Sequence, residues 1–104
     1  MTDIKINGVT VLPLTKKQAE LYNYCLTHFI TTQSIPTRRE AAAHIGIAIN
    51  AVQDRFVGLQ RKGWIEKVSQ HRYIFVGLKL KPDDEALNEI MKALDDSKET
   101  LRYV

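Results

Sequence analysis

The stretch IPTRREAAAHIGIAINAVQDRFVGLQRKGW, residues 35–64, limits the fold more than any other, because two short helical patterns meet there at one glycine, Gly46. Thr37 and Glu40 stand at capping-box spacing, so each side chain can satisfy a backbone N–H that the first turn leaves free. Ala41, Ala42 and Ala43 give this helix a thin side that another helix can approach closely. Gly46 suits the left-handed residue that closes a helix. In the next pattern Val52, Phe56 and Leu59 are spaced four and then three, which sets them on one buried stripe. On a helical wheel the opposite side carries Asn50, Asp54, Val57, Gly58 and Arg61, flanked by Ala51 and Gln53, with Arg55 nearer the buried edge. Asn50 either caps this helix or sits just inside it. Gly63 ends it after Arg61-Lys62, a basic pair suited to the negative end of the helix dipole. Two helices joined in this way suit a helix-turn-helix.

The flanking sequence extends the motif. Thr15 and Gln18 form a second capping signal, and a helix is predicted over 15–31 with Tyr22, Cys25, Leu26 and Phe29 on its apolar face. Cys25 is read as a small core residue and His28 as a surface or boundary residue. After Trp64, WIEKVSQHRYIFVG reads as a hairpin: strand 64–68, a turn through Ser69-Gln70-His71, and strand 72–76. A hairpin directly behind the second helix of the pair is a wing, here with a basic, polar tip at Lys67, His71 and Arg72. At the start, IKINGVTVL alternates apolar residues (Ile4, Ile6, Val9, Val11) around Asn7-Gly8, a strong hairpin signal. That arm is read as structural, with dimerisation or DNA contact as alternatives. Behind Pro82 a last helix is predicted over 83–102, acidic at its start and basic near its end. Leu87, Leu94 and Leu101 recur every seven residues with Ile90 and Met91 between them, a stripe that packs either on its own domain or on a second subunit. The expected architecture is α+β: an N-terminal β-hairpin arm over 1–12, a winged helix-turn-helix of three helices and a wing over 13–78, and a C-terminal helix over 79–104 as a candidate dimerisation element.

Charge divides the chain along the same line. Residues 1–78 hold ten Lys/Arg against five Asp/Glu, and residues 79–104 hold five against seven. A basic part followed by an acidic one favours a polyanion partner for the first. One cysteine among 104 residues excludes an internal disulfide or a zinc site built from several thiolates, and three scattered histidines supply no metal site. No run of eighteen apolar residues and no signal-peptide pattern is present, so neither membrane contact nor export is expected. The expected setting is cytoplasmic, with the nucleoid. No Gly-rich phosphate loop, paired catalytic carboxylates or nucleophile–base motif points to an enzyme or a cofactor.

Residues 13–77 resemble the N-terminal winged-helix domain of the LexA repressor family. The motifs LTKKQAELYNY, IPTRREAAAHIG and NAVQDRFVGLQRKGWIE carry the likeness in collinear order, together with the hairpin behind them, over about two thirds of the chain. The turn from Gly46 to Asn50 is one residue shorter than the family's usual turn. The resemblance implies that the start of the second helix of the pair reads bases, a role that falls on Asn50, Ala51, Gln53 and Asp54, with Arg55 beside them. Their chemistry agrees: Asn and Gln pair bidentately with adenine, Asp accepts from cytosine N4, and an alanine methyl meets the thymine methyl. Arg38 and Arg39 at the start of the preceding helix are placed for phosphates, and Arg61, Lys67, His71 and Arg72 are further backbone or wing contacts. The family's self-cleaving domain with its serine–lysine dyad finds no room here, and no Ala-Gly cleavage site is present, so derepression by self-cleavage is not expected.

The reading that follows is a prokaryotic or phage transcriptional regulator, a repressor that binds double-stranded DNA as a homodimer. The alternative is a winged-helix interaction module, such as an antirepressor or phage accessory protein, that meets a regulatory protein through its acidic last helix.

Overall fold

The computed structural model describes residues 4–6, 8–69, 72–76 and 84–102, without the side chains of Arg72 and residues 99–102. Its elements run β1 (Ile4–Ile6), β2 (Val9–Val11), α1 (Lys16–Thr32), α2 (Arg38–Ile45), α3 (Ile49–Arg61), β3 (Ile65–Ser69), β4 (Arg72–Phe75) and α4 (Asp84–Arg102). This is an α+β layout of four helices and two antiparallel hairpins. Asn7, Gln70, His71 and Asp83 lie outside the described residues, as do the side chains of Arg72, Leu101 and Arg102.

Local chemistry places the first two helix starts. Thr15 accepts from the Gln18 N–H while the Gln18 side chain accepts from the Thr15 N–H, and Thr37 and Glu40 repeat the exchange at α2. Gly46 closes α2 at φ 82° and ψ 36°, and its N–H returns to the Ala42 carbonyl. The first N-cap of α3 differs. It is Ala48, whose side chain offers no hydrogen bond, so Asn50 is the second helical residue and not the cap. At the other end of α1 a non-glycine residue, Gln33, takes the left-handed cap at φ 62°.

One hydrophobic core joins every element. Tyr22 and Phe29 of α1, Val52, Phe56 and Leu59 of α3, Trp64, Ile65 and Phe75 are buried together. The aromatic rings meet edge-on, with Tyr22 5.2 Å from Trp64 and 5.3 Å from Phe75, an arrangement the ring quadrupoles favour. Cys25 lies within this core, and burial pushes its thiol up to about 12. The Tyr22 hydroxyl is buried without a hydrogen-bond partner among the described residues, and its ionisation is driven upward by burial and then by Cys25.

The arm and the last helix belong to the same core. β1 and β2 pair in the register Ile4↔Val11 and Ile6↔Val9, and Ile4, Ile6 and Val11 are buried while Val9, at the turn, is 46% exposed. β1 lies against α4. The chain leaving the arm is stitched down twice: the Leu12 N–H donates to the Lys62 carbonyl at 3.0 Å, and the Trp64 indole donates to the Leu12 carbonyl at 2.7 Å. The Leu14 N–H donates to the buried Ser97 hydroxyl of α4 at 2.7 Å, a link across 83 residues of sequence. Along α4 the buried line is Ile90, Ala93, Leu94 and Ser97, with Leu87 half-buried against the core. Met91, grouped with that stripe on sequence, points outward and is 50% exposed. The line follows the i, i+3, i+4, i+7 spacing of a helix packed on its own domain.

Gly58 also sits differently from its position on the wheel. A Cβ built on it would come within 2.5 Å of the Gln18 Nε2, so the residue is half-covered by the side chain of α1. Glycine is placed there because another helix's side chain crosses it.

Candidate nucleic-acid interface

The turn of Gly46, Ile47 and Ala48 holds α3 against α2, and the buried stripe of α3 turns its other side outward. Asn50 and Asp54 are exposed on that side, and Ala51 and Gln53 are half-buried beside them. Because Ala48 and not Asn50 occupies the cap, the Asn50 amide is not used to close the helix. Among the described residues no side chain caps the early N–H groups of α3, and such groups attract anions.

The wing stands at the side of this surface. β3 and β4 pair in the register Ile65↔Phe75, Glu66↔Ile74 and Lys67↔Tyr73, and the ladder shifts between Lys67 and Ser69. Tyr73 stacks on Phe56 of α3 with ring centroids 5.2 Å apart and planes 13° apart, which fixes the wing relative to the outward face of α3. A groove runs between the start of α2, Ile49 at the start of α3 and Tyr73. Ile49 is 45% exposed at its edge. Arg39 is exposed and Arg38 half-buried on the α2 side, and Arg61 and Lys67 are exposed at the end of α3 and on the wing. Positive side chains therefore border the face that carries the amides and Asp54.

Two of the expected site residues are engaged within the chain. The Arg38 Nη1 donates to the Gln53 Oε1 at 2.7 Å, joining the first residue of α2 to the middle of α3's outward side. Sequence reasoning missed this pair, since residues 15 apart meet only once the angle between the helices is known. Arg55 is half-buried, with its Nη1 enclosed and without a hydrogen-bond partner among the described residues. The base-reading candidates that reach solvent freely are thus Asn50 and Asp54, with Gln53 held beside them. Arg72 belongs to β4, but its side chain, like His71, is outside what is described.

A second polar cluster lies away from this face, between α1 and α2. Tyr24 stacks on His44 with centroids 4.1 Å apart, and His28 Nε2 lies 3.4 Å from the Glu40 carboxylate. His28 Nδ1 is 2.8 Å from the Ser34 carbonyl, so the half-buried imidazole ties the end of α1 to the start of α2. Among the described residues no group of three His, Cys, Asp or Glu side chains is arranged to hold a metal, and no helix is long and apolar enough to cross a membrane.

Helix, turn, outward helix and attached hairpin together define a winged helix-turn-helix. The family model of the LexA DNA binding domain matches residues 11–72, and the chain belongs to that family. It is 35% identical to the LexA repressor of Glaesserella parasuis serovar 5 over 77 residues, which are 73% of this chain and 35% of that protein. It is 40% identical to the LexA repressor of Actinobacillus pleuropneumoniae serotype 5b over 57 residues, and 41% identical to that of Actinobacillus succinogenes over 58, in each case 54% of this chain and 27% of the relative. The chain thus spans at most about a third of the length of the curated relatives it matches. The matched region takes in the whole of α1 to β3 and leaves β1 and α4 outside.

Proposed function

We propose that the chain is a sequence-specific double-stranded DNA-binding transcriptional repressor, with α3 in the major groove and the wing against the backbone. The observation that carries this is the exposed polar start of α3, with Asn50 and Asp54 free and Gln53 beside them, between positive side chains at the start of α2 and on the wing. Side chains of this type read base edges, while Arg39, Arg61 and Lys67 suit phosphates. Membership of the LexA DNA-binding domain family supports the reading, and the relatives' name, LexA repressor, supports repression as its outcome. Regulation rather than catalysis is the role that family suggests.

The reading includes pairing. One domain of this size touches few base pairs, and two copies on two half-sites raise specificity by the usual route.

The test is a gel-shift titration on mixed duplex DNA over a salt series. A phosphate-binding protein loses affinity linearly in log salt, with a slope close to the number of phosphates neutralised. Changing Arg39 or Lys67 to alanine should flatten that slope by about one each and weaken all sequences alike. No binding at low salt would refute the reading and favour a protein-interaction role for the acidic side of α4.

A further inference from the structure

We propose that Arg38 is a specificity-determining positioning residue, which holds the Gln53 amide so that this glutamine selects guanine over adenine. The inference rests on the reading that α3 enters the major groove. Arginine has only donors, so the Gln53 atom that faces it at 2.7 Å must be the carbonyl oxygen. The contact is short, charge-assisted and partly buried, conditions under which such a bond holds its geometry. An amide group is planar, so fixing the oxygen also fixes the direction of the nitrogen. A glutamine without such a partner can turn its oxygen to the adenine N6 amino group while its nitrogen donates to N7, the usual bidentate pair. Held on Arg38, the oxygen can no longer turn freely toward a base, and the Nε2 pair of donors on the other side of the amide has no acceptor among the described residues. Donors seek acceptors. Guanine offers two adjacent ones in the major groove, N7 and O6, whereas adenine sets a donor beside its N7.

Position in the fold strengthens the argument. Arg38 is the first residue of α2 and is held there by the Thr37 capping box, so its stem leaves a fixed point of the backbone. Gln53 lies one residue before the exposed Asp54 and three after Asn50, on the side of α3 turned from the core. A phosphate contact by Arg38 would act on all sequences equally, whereas a hold on Gln53 acts on one base pair.

The experiment is selection of bound duplexes from random DNA by the 104-residue chain and by Arg38→Met, Gln53→Ala and the double variant. The wild type should enrich guanine at one position of the half-site. Gln53→Ala should abolish that preference. Arg38→Met, which keeps the apolar stem and removes the donors, should turn it toward adenine, by roughly tenfold in the guanine-to-adenine ratio. The double variant should match Gln53→Ala at that position. If Arg38→Met weakens every sequence alike and keeps the guanine preference, the proposal is overturned and Arg38 is a backbone contact. If the wild type itself enriches nothing, DNA reading fails instead, so the two failures are distinguishable. Circular dichroism checks that Arg38→Met is folded; should it not be, Arg38→Ala, which suits a helix, is judged by the same readout.

Discussion

Replacing Gly58 with alanine sets two opposed effects against each other. Inside a helix the change should stabilise by about 1 kcal/mol, because glycine loses more backbone freedom on folding. In this chain the new methyl would lie 2.5 Å from the Gln18 Nε2, which must then retreat by about 1 Å to reach ordinary contact. Gln18 is not free to move. Its Oε1 accepts from the Thr15 N–H at 3.0 Å, closing the α1 capping box, and from the Lys62 ammonium at 2.7 Å. Burial already holds that ammonium below the usual lysine range. Two bonds at about 0.5–1.5 kcal/mol each are put at risk, so the net change is a destabilisation of about 1 kcal/mol. In a Gln18→Ala background the obstruction is gone and Gly58→Ala should stabilise by about 1 kcal/mol. The coupling between the positions is then about 2 kcal/mol, as for residues in contact. Urea melts of the four chains, compared at equal slope, measure it. A gain of about 1 kcal/mol from Gly58→Ala in both backgrounds would show that the helix crossing does not explain the glycine.

Three further outcomes follow from the caps and the core. Gly46→Ala should cost about 1–2 kcal/mol from its left-handed φ of 82° alone, since open space surrounds it, and Gln33→Gly, at φ 62°, should act in the opposite sense; thermal melts give both signs. The Glu40 carboxyl is held below the ordinary glutamate value by the Thr37 N–H and hydroxyl, so its contribution is present above about pH 4.3 and is lost as pH falls through the lowered value. The stability difference between the wild type and Glu40→Gln should therefore shrink on acidification, and a difference that grows would contradict the assignment. The Cys25 thiol, buried and pushed up to about 12, should react with a thiol reagent only through unfolding, on the order of a thousandfold more slowly than free cysteine. Rapid labelling of native protein would place it outside the core.

The elements legible in the sequence are those set by neighbours within four residues. Thr15 with Gln18 and Thr37 with Glu40 carry their own partners, so both helix starts were readable to the residue. The stripe of Val52, Phe56 and Leu59 was readable because period alone decides which side faces a core. Legibility ended where a second element intervened. The wheel put Gly58 outward, and a glycine inside a helix left open a close approach by DNA or by another helix; that the neighbour is the Gln18 side chain needs the second helix in place. Asn50 could be a cap or not, since Ala48 offers no side-chain signal. Leucines every seven residues left open whether the stripe packs on its own domain or on a second subunit; α4 lies against β1 with Ile90, Ala93 and Leu94 buried and Met91 exposed. At the candidate site the residue types were visible, while the Arg38–Gln53 bond needed the crossing of α2 and α3.

The placement of α4 also decides how pairing must be tested. Removing residues 84–102 would uncover β1, where Ile4 and Ile6 are buried, and leave the Leu14 N–H without Ser97. Each such apolar side chain contributes about 1.5–3 kcal/mol when fully buried, so the truncated chain loses a large part of what a small domain has. A changed mass after truncation would then report unfolding or aggregation as readily as a lost interface. Met91→Asp separates the two, because Met91 is exposed and is the least buried of the described apolar residues of α4. Its melt should match the wild type within about 0.5 kcal/mol, the usual range for a surface change. If two copies meet across the outer side of α4, a buried carboxylate there would oppose pairing, and sedimentation should show monomer where the wild type shows dimer. A Met91→Asp chain that is folded and still dimeric moves the interface off α4, and the exposed Val9 and Leu12 beside the arm become the next positions to change.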